Sequence, residues 1–252
     1  MRDIADYSKH YLESGFEDYL VEYRRRIILN AIKEYHPYKI LEIGCGMRPL
    51  FDYIDYQFDE YTIYEPSEEF YANALARREE SKYSDRIVIH NECYRSEEES
   101  SVDFLICSCL LHELENPGEM LDDIYRNCRS DTIIHFNVPN AYSLHRLLAF
   151  YAGMIKNVDE FSGRNILFQQ HSVFSKDSFS ILLGQHGFEV IESGSYFIKP
   201  FTHDQMKRML DEKIITEDVL EGLFNLSKEL PDYGCEIFFN CRVKDNKYQE
   251  PY

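Results

Sequence analysis

A chain of 252 residues, 44% hydrophobic and with a formal net charge of −18, is long and apolar enough for a large core but too acidic for a nucleic-acid groove. It has no run of about 18 apolar residues and hence no membrane span, and its N-terminus lacks an apolar signal core. Seven scattered cysteines without a CxxC fit reduced thiols in a cytoplasmic protein, not a disulfide framework or a metal site.

Residues 16–35 carry Phe16, Leu20, Tyr23, Ile27 and Ala31 on one helical face, and His36-Pro37 ends that helix. Strands follow at 39–43, 61–65 and 86–90, with a helix at 67–80 between the last two. Residues 96–101, "SEEESS", read as a solvated acidic loop. A fourth strand spans 102–108 and a fifth 131–138; Asn116 and Pro117 open the helix between them. Helices at 143–155 and 175–187, the second closed by Gly187, precede two late strands at 188–198 and 235–243. Residues 201–230, between the late strands, read as a helical insertion. Strands alternating with helices imply a parallel, doubly wound α/β sheet.

The first strand runs into "KILEIGCGMRP", residues 39–49. A glycine turn leading from a strand into a helix, here through Pro49, brings backbone N–H groups to the sheet's carboxyl edge. The dinucleotide pattern GxGxxG needs a third glycine, which this turn lacks. Glu65 ends the second strand, about 20 residues on, where a carboxylate accepts both ribose hydroxyls. The pair fits a nucleoside ligand that has no pyrophosphate.

"ILEIGCG", "YTIYEPS", "VDFLICSCLLHEL" and "HSVFSKDSFSILLGQHGFEVI", in this order, resemble the class I S-adenosylmethionine-dependent methyltransferases. "NVPNAYSLHRLLA" is similar to small-molecule methyltransferases of bacterial surface-glycan pathways (capsule and O-antigen). The resemblance implies a Rossmann-like seven-stranded sheet of order 3-2-1-4-5-7-6 with the last strand antiparallel. It implies one domain over 1–252, with a helical cap at 1–36, a cofactor half at 37–140 and a substrate half at 141–252. It further implies S-adenosylmethionine as cofactor and S-adenosylhomocysteine as product. Glu42, Gly44, Cys45 and Gly46 would underlie the methionine part. Glu65 would grip the ribose, with Pro66 and Ser67 near the adenine and Glu92 and Cys93 at its edge. Ser108 and Cys109 would flank the cofactor, and Tyr11 or Arg24, in the cap, would meet its carboxylate. The family's third glycine is Arg48 here.

Methyl transfer to an alcohol is helped by a general base, and histidine suits neutral pH. His171, His145 and His112 are the candidates, the first two favoured on the substrate side; His90 and His135 lie inside strands and read as packed. Asn137 and Asn140 could bond a polyol. Lys199 and His203 are candidate anion contacts, and Arg48 a further substrate contact. The reading is methylation of a small polar acceptor, most plausibly the oxygen of a nucleotide-linked sugar in surface-polysaccharide synthesis. A phosphate-type oxygen or an amine is the alternative acceptor. An inactive methyltransferase-like subunit and a nicotinamide oxidoreductase are the competing functions. The insertion would cover the acceptor or form a homodimer contact.

Overall fold

The computed structural model describes residues 15–95 and 102–244. Its strands are β1 (Lys39–Ile43), β2 (Glu60–Tyr64), β3 (Ile87–His90), β4 (Phe104–Ser108), β5 (Ile133–Pro139), β6 (Phe188–Tyr196) and β7 (Glu236–Val243). They pair as β3-β2-β1-β4-β5-β7-β6, with β7 antiparallel to both neighbours, which is the expected order. The central strands β1, β4 and β5 are buried almost throughout. Covered on both faces, they read in sequence as largely apolar runs, interrupted by Glu42 in β1 and by His135 and Asn137 in β5. At the sheet edge, β6 exposes Glu189 and Glu192, charges that oppose pairing with another chain.

The helices are α1 (Glu17–Tyr35), α2 (Glu68–Glu80), α3 (Pro117–Asn127), α4 (Leu144–Tyr151), α5 (Gly163–Leu167), α6 (Lys176–Gln185), α7 (His203–Asp211) and α8 (Glu217–Leu226). Asn116 precedes α3 as expected, but its amide donates to the Glu119 carboxylate at 2.9 Å instead of capping the backbone. Gly187, at φ +83°, closes α6, a conformation that costs glycine nothing. Tyr7, Tyr11 and the acidic stretch 96–101 lie outside the described residues.

Alternation along β1 sends side chains to two cores. Leu41 and Ile43 pack with Leu121 of α3 and Phe179 and Leu183 of α6. Ile40 packs with Ile28 and Ile32 of α1 and with Tyr61 and Ile63 of β2. A third core joins Phe16, Leu20 and Tyr23 of α1 to Phe197, Met206 of α7 and Leu220 of α8. The back of α1 therefore rests on the sheet and its front on the insertion.

One expectation is corrected. Pro49 does not open an α-helix; it is extended (φ −57°, ψ 143°) and leads into a single 3-10 turn, Leu50–Tyr53. Leu50 and Phe51 drop into the core, and the Leu50 N–H donates to Glu42 Oε2 at 3.3 Å. That bond holds the segment against the strand, so this segment presents no α-helix N-terminus to the turn.

Glu42 shares the Ile40 side of β1 and is sealed beneath α1. Its Oε2 also accepts from the Tyr61 hydroxyl at 2.7 Å. Burial pushes its carboxyl from 4.5 up to about 8; the Tyr61 and Leu50 bonds pull against this, and the Glu65 charge adds to it. The folded chain thus keeps a proton that the unfolded chain releases, and this contribution to stability fades as pH rises towards the folded value. Glu42→Gln, which stays neutral, should gain stability relative to wild type progressively between about pH 5 and 8, read from unfolding midpoints. Gly234 supplies a second test of packing. A Cβ there would stand 2.4 Å from Tyr196 N and 2.5 Å from its carbonyl oxygen. Gly234→Ala should cost about 2–3 kcal/mol by denaturant titration, at the upper end for overpacking.

Candidate active site

The order β3-β2-β1-β4-β5 reverses its winding between β1 and β4, which leaves a crevice at their carboxyl ends. The crevice holds an open cleft of ≈ 920 Å³, walled by the β1 turn, the ends of β2 and β4, and α1. Gly44 (φ +75°) and Gly46 (φ +56°) are left-handed, a shape that disfavours a side chain. Among the described residues no heavy atom beyond its chain neighbours lies within 4 Å of a Cβ built on Gly44, so they leave open space above its backbone. Glu65 Oε2 accepts from the N–H groups of Cys45 (3.0 Å) and Gly46 (3.2 Å), and Oε1 from Ser67 N–H (2.9 Å). A carboxylate offers about four acceptor positions, so one remains on Oε1. Burial lifts the Glu65 carboxyl above its ordinary value against the pull of these three N–H groups.

α1 closes this cleft with Val21, Arg24, Arg25 and Ile28. Arg25 is 4% exposed and lies over the Tyr53 ring at 3.7 Å. Its Nη1 donates to Glu22 at 2.7 Å, while its Nη2 is buried with no hydrogen-bond partner among the described residues. The sequence reading passed over this residue inside the run Arg24-Arg25-Arg26. Its phase was the available signal: Arg25 precedes Ile28 and Ile32 on the buried stripe.

A second cleft, of ≈ 820 Å³, adjoins the first, and Arg24, Cys109 and Glu113 line both. Arg24 clamps Glu236 of β7 through Nε (2.9 Å) and Nη2 (2.5 Å), and Nη2 also reaches Glu17 at 3.0 Å. The Tyr196 hydroxyl donates to the same Glu236 carboxylate and accepts from the Asn137 amide at 2.8 Å. Asn137 Oδ1 accepts from Cys109 N–H at 2.8 Å, holding Cys109 at φ +51°. Glu236 is another residue missed; a lone acid opening the apolar run "CEIFF" is its signal. Burial raises the Cys109 thiol well above its ordinary value, Arg24 opposing and Glu236 adding, so the sulfur stays a poor nucleophile.

The expected residues divide between these clefts. Glu42, Gly44, Cys45, Gly46, Glu65, Pro66, Ser67, Ser108, Cys109 and Arg24 all line the first. Arg48 lies there too, partly exposed and 3.7 Å from Asp18, rather than in the second. His112, His145, Asn140, Lys199 and His203 line the second. Glu92 and Cys93 are exposed and line neither cleft. His171 is exposed, tied to the site through its backbone N–H, which donates to the His112 carbonyl at 2.9 Å. Asn137 is fully buried behind Cys109, so it shapes the site from beneath instead of lining a cleft. The Asn140 amide is taken by the Asp232 and Gly234 carbonyls and the Tyr142 N–H. Both asparagines are spent on the fold, which replaces the expected polyol contacts.

A family model described as "Methyltransferase domain" matches residues 16–193. The mouse protein "Thiol S-methyltransferase TMT1B" is 26% identical over 100 residues, a match spanning 38% of this chain and 41% of that protein. Among solved structures, the [4+2]-cyclase SpnF superposes with a TM-score of 0.56 at 11% identity, over 87% of this chain and 80% of that one. The methyltransferase domain of bacterial CtHen1 gives 0.56 at 14% identity, over 89% and 100%. An S-adenosylmethionine-dependent methyltransferase from Mesorhizobium loti gives 0.54 at 13% identity, over 84% and 96%. These likenesses are of fold. With the family match covering most of the sequence, the chain belongs to the methyltransferase domain family, whose cofactor is S-adenosylmethionine.

Proposed function

We propose that this chain transfers the methyl group of S-adenosylmethionine to an oxygen of a small polar acceptor seated in the second cleft. One observation carries the reading: the glycine-turn cleft and a polar cleft adjoin at Arg24, Cys109 and Glu113, as donor and acceptor sites must. A nucleotide-linked sugar of a surface-glycan pathway is the acceptor suggested by the sequence resemblance.

The residues of the first cleft fit the cofactor. The open space above Gly44 admits a ligand against the backbone, and the remaining Oε1 position of Glu65 suits a ribose hydroxyl. The unpartnered Arg25 Nη2 suits the carboxylate, a role that Arg24, clamped by Glu236 and Glu17, is less free to take. Bound S-adenosylmethionine supplies an electrophilic methyl group. The chain aligns the acceptor with it and excludes water, and orientation of this kind lowers barriers by roughly 7–11 kcal/mol. For an alcohol acceptor, Glu113 at the junction is the candidate proton acceptor, and His145 lies deeper in the second cleft. Burial, with Lys199, His203 and Arg146 nearby, holds His145 well below its ordinary value, so it is neutral at pH 7.

Calorimetric titration with S-adenosylhomocysteine tests the reading. Wild type should bind saturably, and no binding would refute it. Glu65→Ala should weaken binding about 10–100-fold and Arg25→Met about tenfold, the worth of one or two charge-assisted hydrogen bonds. Thermal unfolding of each variant separates loss of contact from loss of fold.

A further inference from the structure

Lys199 is 2% exposed, in the wall of the second cleft. Its ammonium has one hydrogen-bond partner among the described residues, His203 Nδ1 at 2.9 Å. Ammonium only donates, so Nδ1 accepts and the ring proton lies on Nε2, which faces Glu17 Oε2 at 3.3 Å. His203 is thus neutral, with Lys199 bonded to one ring nitrogen and Glu17 near the other; burial and the Lys199 charge push it down to about 3. No carboxylate lies within 4 Å of the Lys199 ammonium among the described residues. Arg146, in the same wall, also has no carboxylate within that distance; it is fixed by the carbonyls of Val158 (2.6 Å) and Glu160 (2.5 Å). Beside them the His145 Nδ1 is buried with no hydrogen-bond partner among the described residues.

Among the described residues, two cations with no carboxylate in contact and an open ring nitrogen share one wall, an arrangement costly in isolation. They are unexpected in a chain with a net charge of −18, where carboxylates are plentiful. Lys199, Arg146 and His145 line the second cleft and not the first, so the charge they await belongs to the acceptor rather than the cofactor. We propose that the acceptor carries an oxyanion, a carboxylate or a phosphate, which seats on Lys199, Arg146 and His145 and so presents a different atom of the acceptor to the junction at Cys109 and Glu113. The oxyanion is a handle and not the methylated group. His203 is a positioning residue that holds the Lys199 ammonium in place. This inference rests on the methyltransferase reading, and the following experiment tells the two apart.

Protein saturated with S-adenosylhomocysteine is titrated calorimetrically with inorganic phosphate and, separately, with malonate at constant ionic strength. At least one should bind saturably; the tighter of the two identifies the handle as phosphate or carboxylate. Lys199→Met and Arg146→Met should each weaken that binding by about tenfold or more, and Lys33→Met, on exposed backbone of α1, should not. S-adenosylhomocysteine affinity should change less than about twofold in all three, which also reports that they fold. If neither oxyanion binds, if Lys33→Met weakens it equally, or if Lys199→Met weakens S-adenosylhomocysteine instead, the proposal is overturned. If wild type does not bind S-adenosylhomocysteine, the methyltransferase reading itself fails.

Discussion

The site depends on the buried pairing of Arg24 with Glu236. It ties the front of α1 to the start of β7, elements more than two hundred residues apart in sequence. Through Tyr196 and Asn137 the same carboxylate is linked to the turn after β4, where Cys109 is held in a left-handed conformation. Removing one member of such a pair leaves an uncompensated buried charge and typically costs about 3–5 kcal/mol. The pair therefore does more than close the fold. It sets the partition between the two clefts, with Arg24 on the wall of both.

Either side of that partition the electrostatics differ. Beneath the first cleft lie two buried acids, Glu42 and Glu65, one kept protonated by burial and the other held by three backbone N–H groups. Arg25 brings a side-chain donor with no partner among the described residues. The second cleft collects the cations Arg24, Arg146, Arg164 and Lys199 against the carboxylates Glu17, Glu113 and Glu236, and Glu17 already serves both Arg24 and Arg164. A strongly acidic chain thus maintains a local basic wall, because short-range fields in a low-dielectric cleft are set by neighbours and not by net charge. At the partition itself, burial keeps the Cys109 sulfur as a thiol. In the proposed reading this matters, since a thiolate beside a methyl donor would compete with the acceptor.

The fold alone does not choose the chemistry. Its structural likenesses include a [4+2]-cyclase as well as methyltransferases, and at 11–14% identity they share a backbone and little else. Function rests on the lining of the two clefts.

The strand order, the glycine turn and the acid ending β2 were legible in the sequence, because each follows from short-range rules. Apolar runs mark doubly covered strands, glycine marks left-handed backbone, and an acid at a strand end falls at the carboxyl edge. Gly44 and Glu65, placed by these rules, line the first cleft. The tertiary structure decided the rest. Pro49 was read as a helix start, but the Glu42–Leu50 bond pulls that segment flat. Asn137 and Asn140 were read as ligand contacts, yet their amides are consumed by backbone and by Tyr196. Arg24 was assigned to the cofactor, but its partner is Glu236, and only the folded chain shows that the adjacent Arg25 is the one left with an open donor. Which polar group is satisfied and which is orphaned depends on contacts across long sequence separations, and no local pattern encodes those.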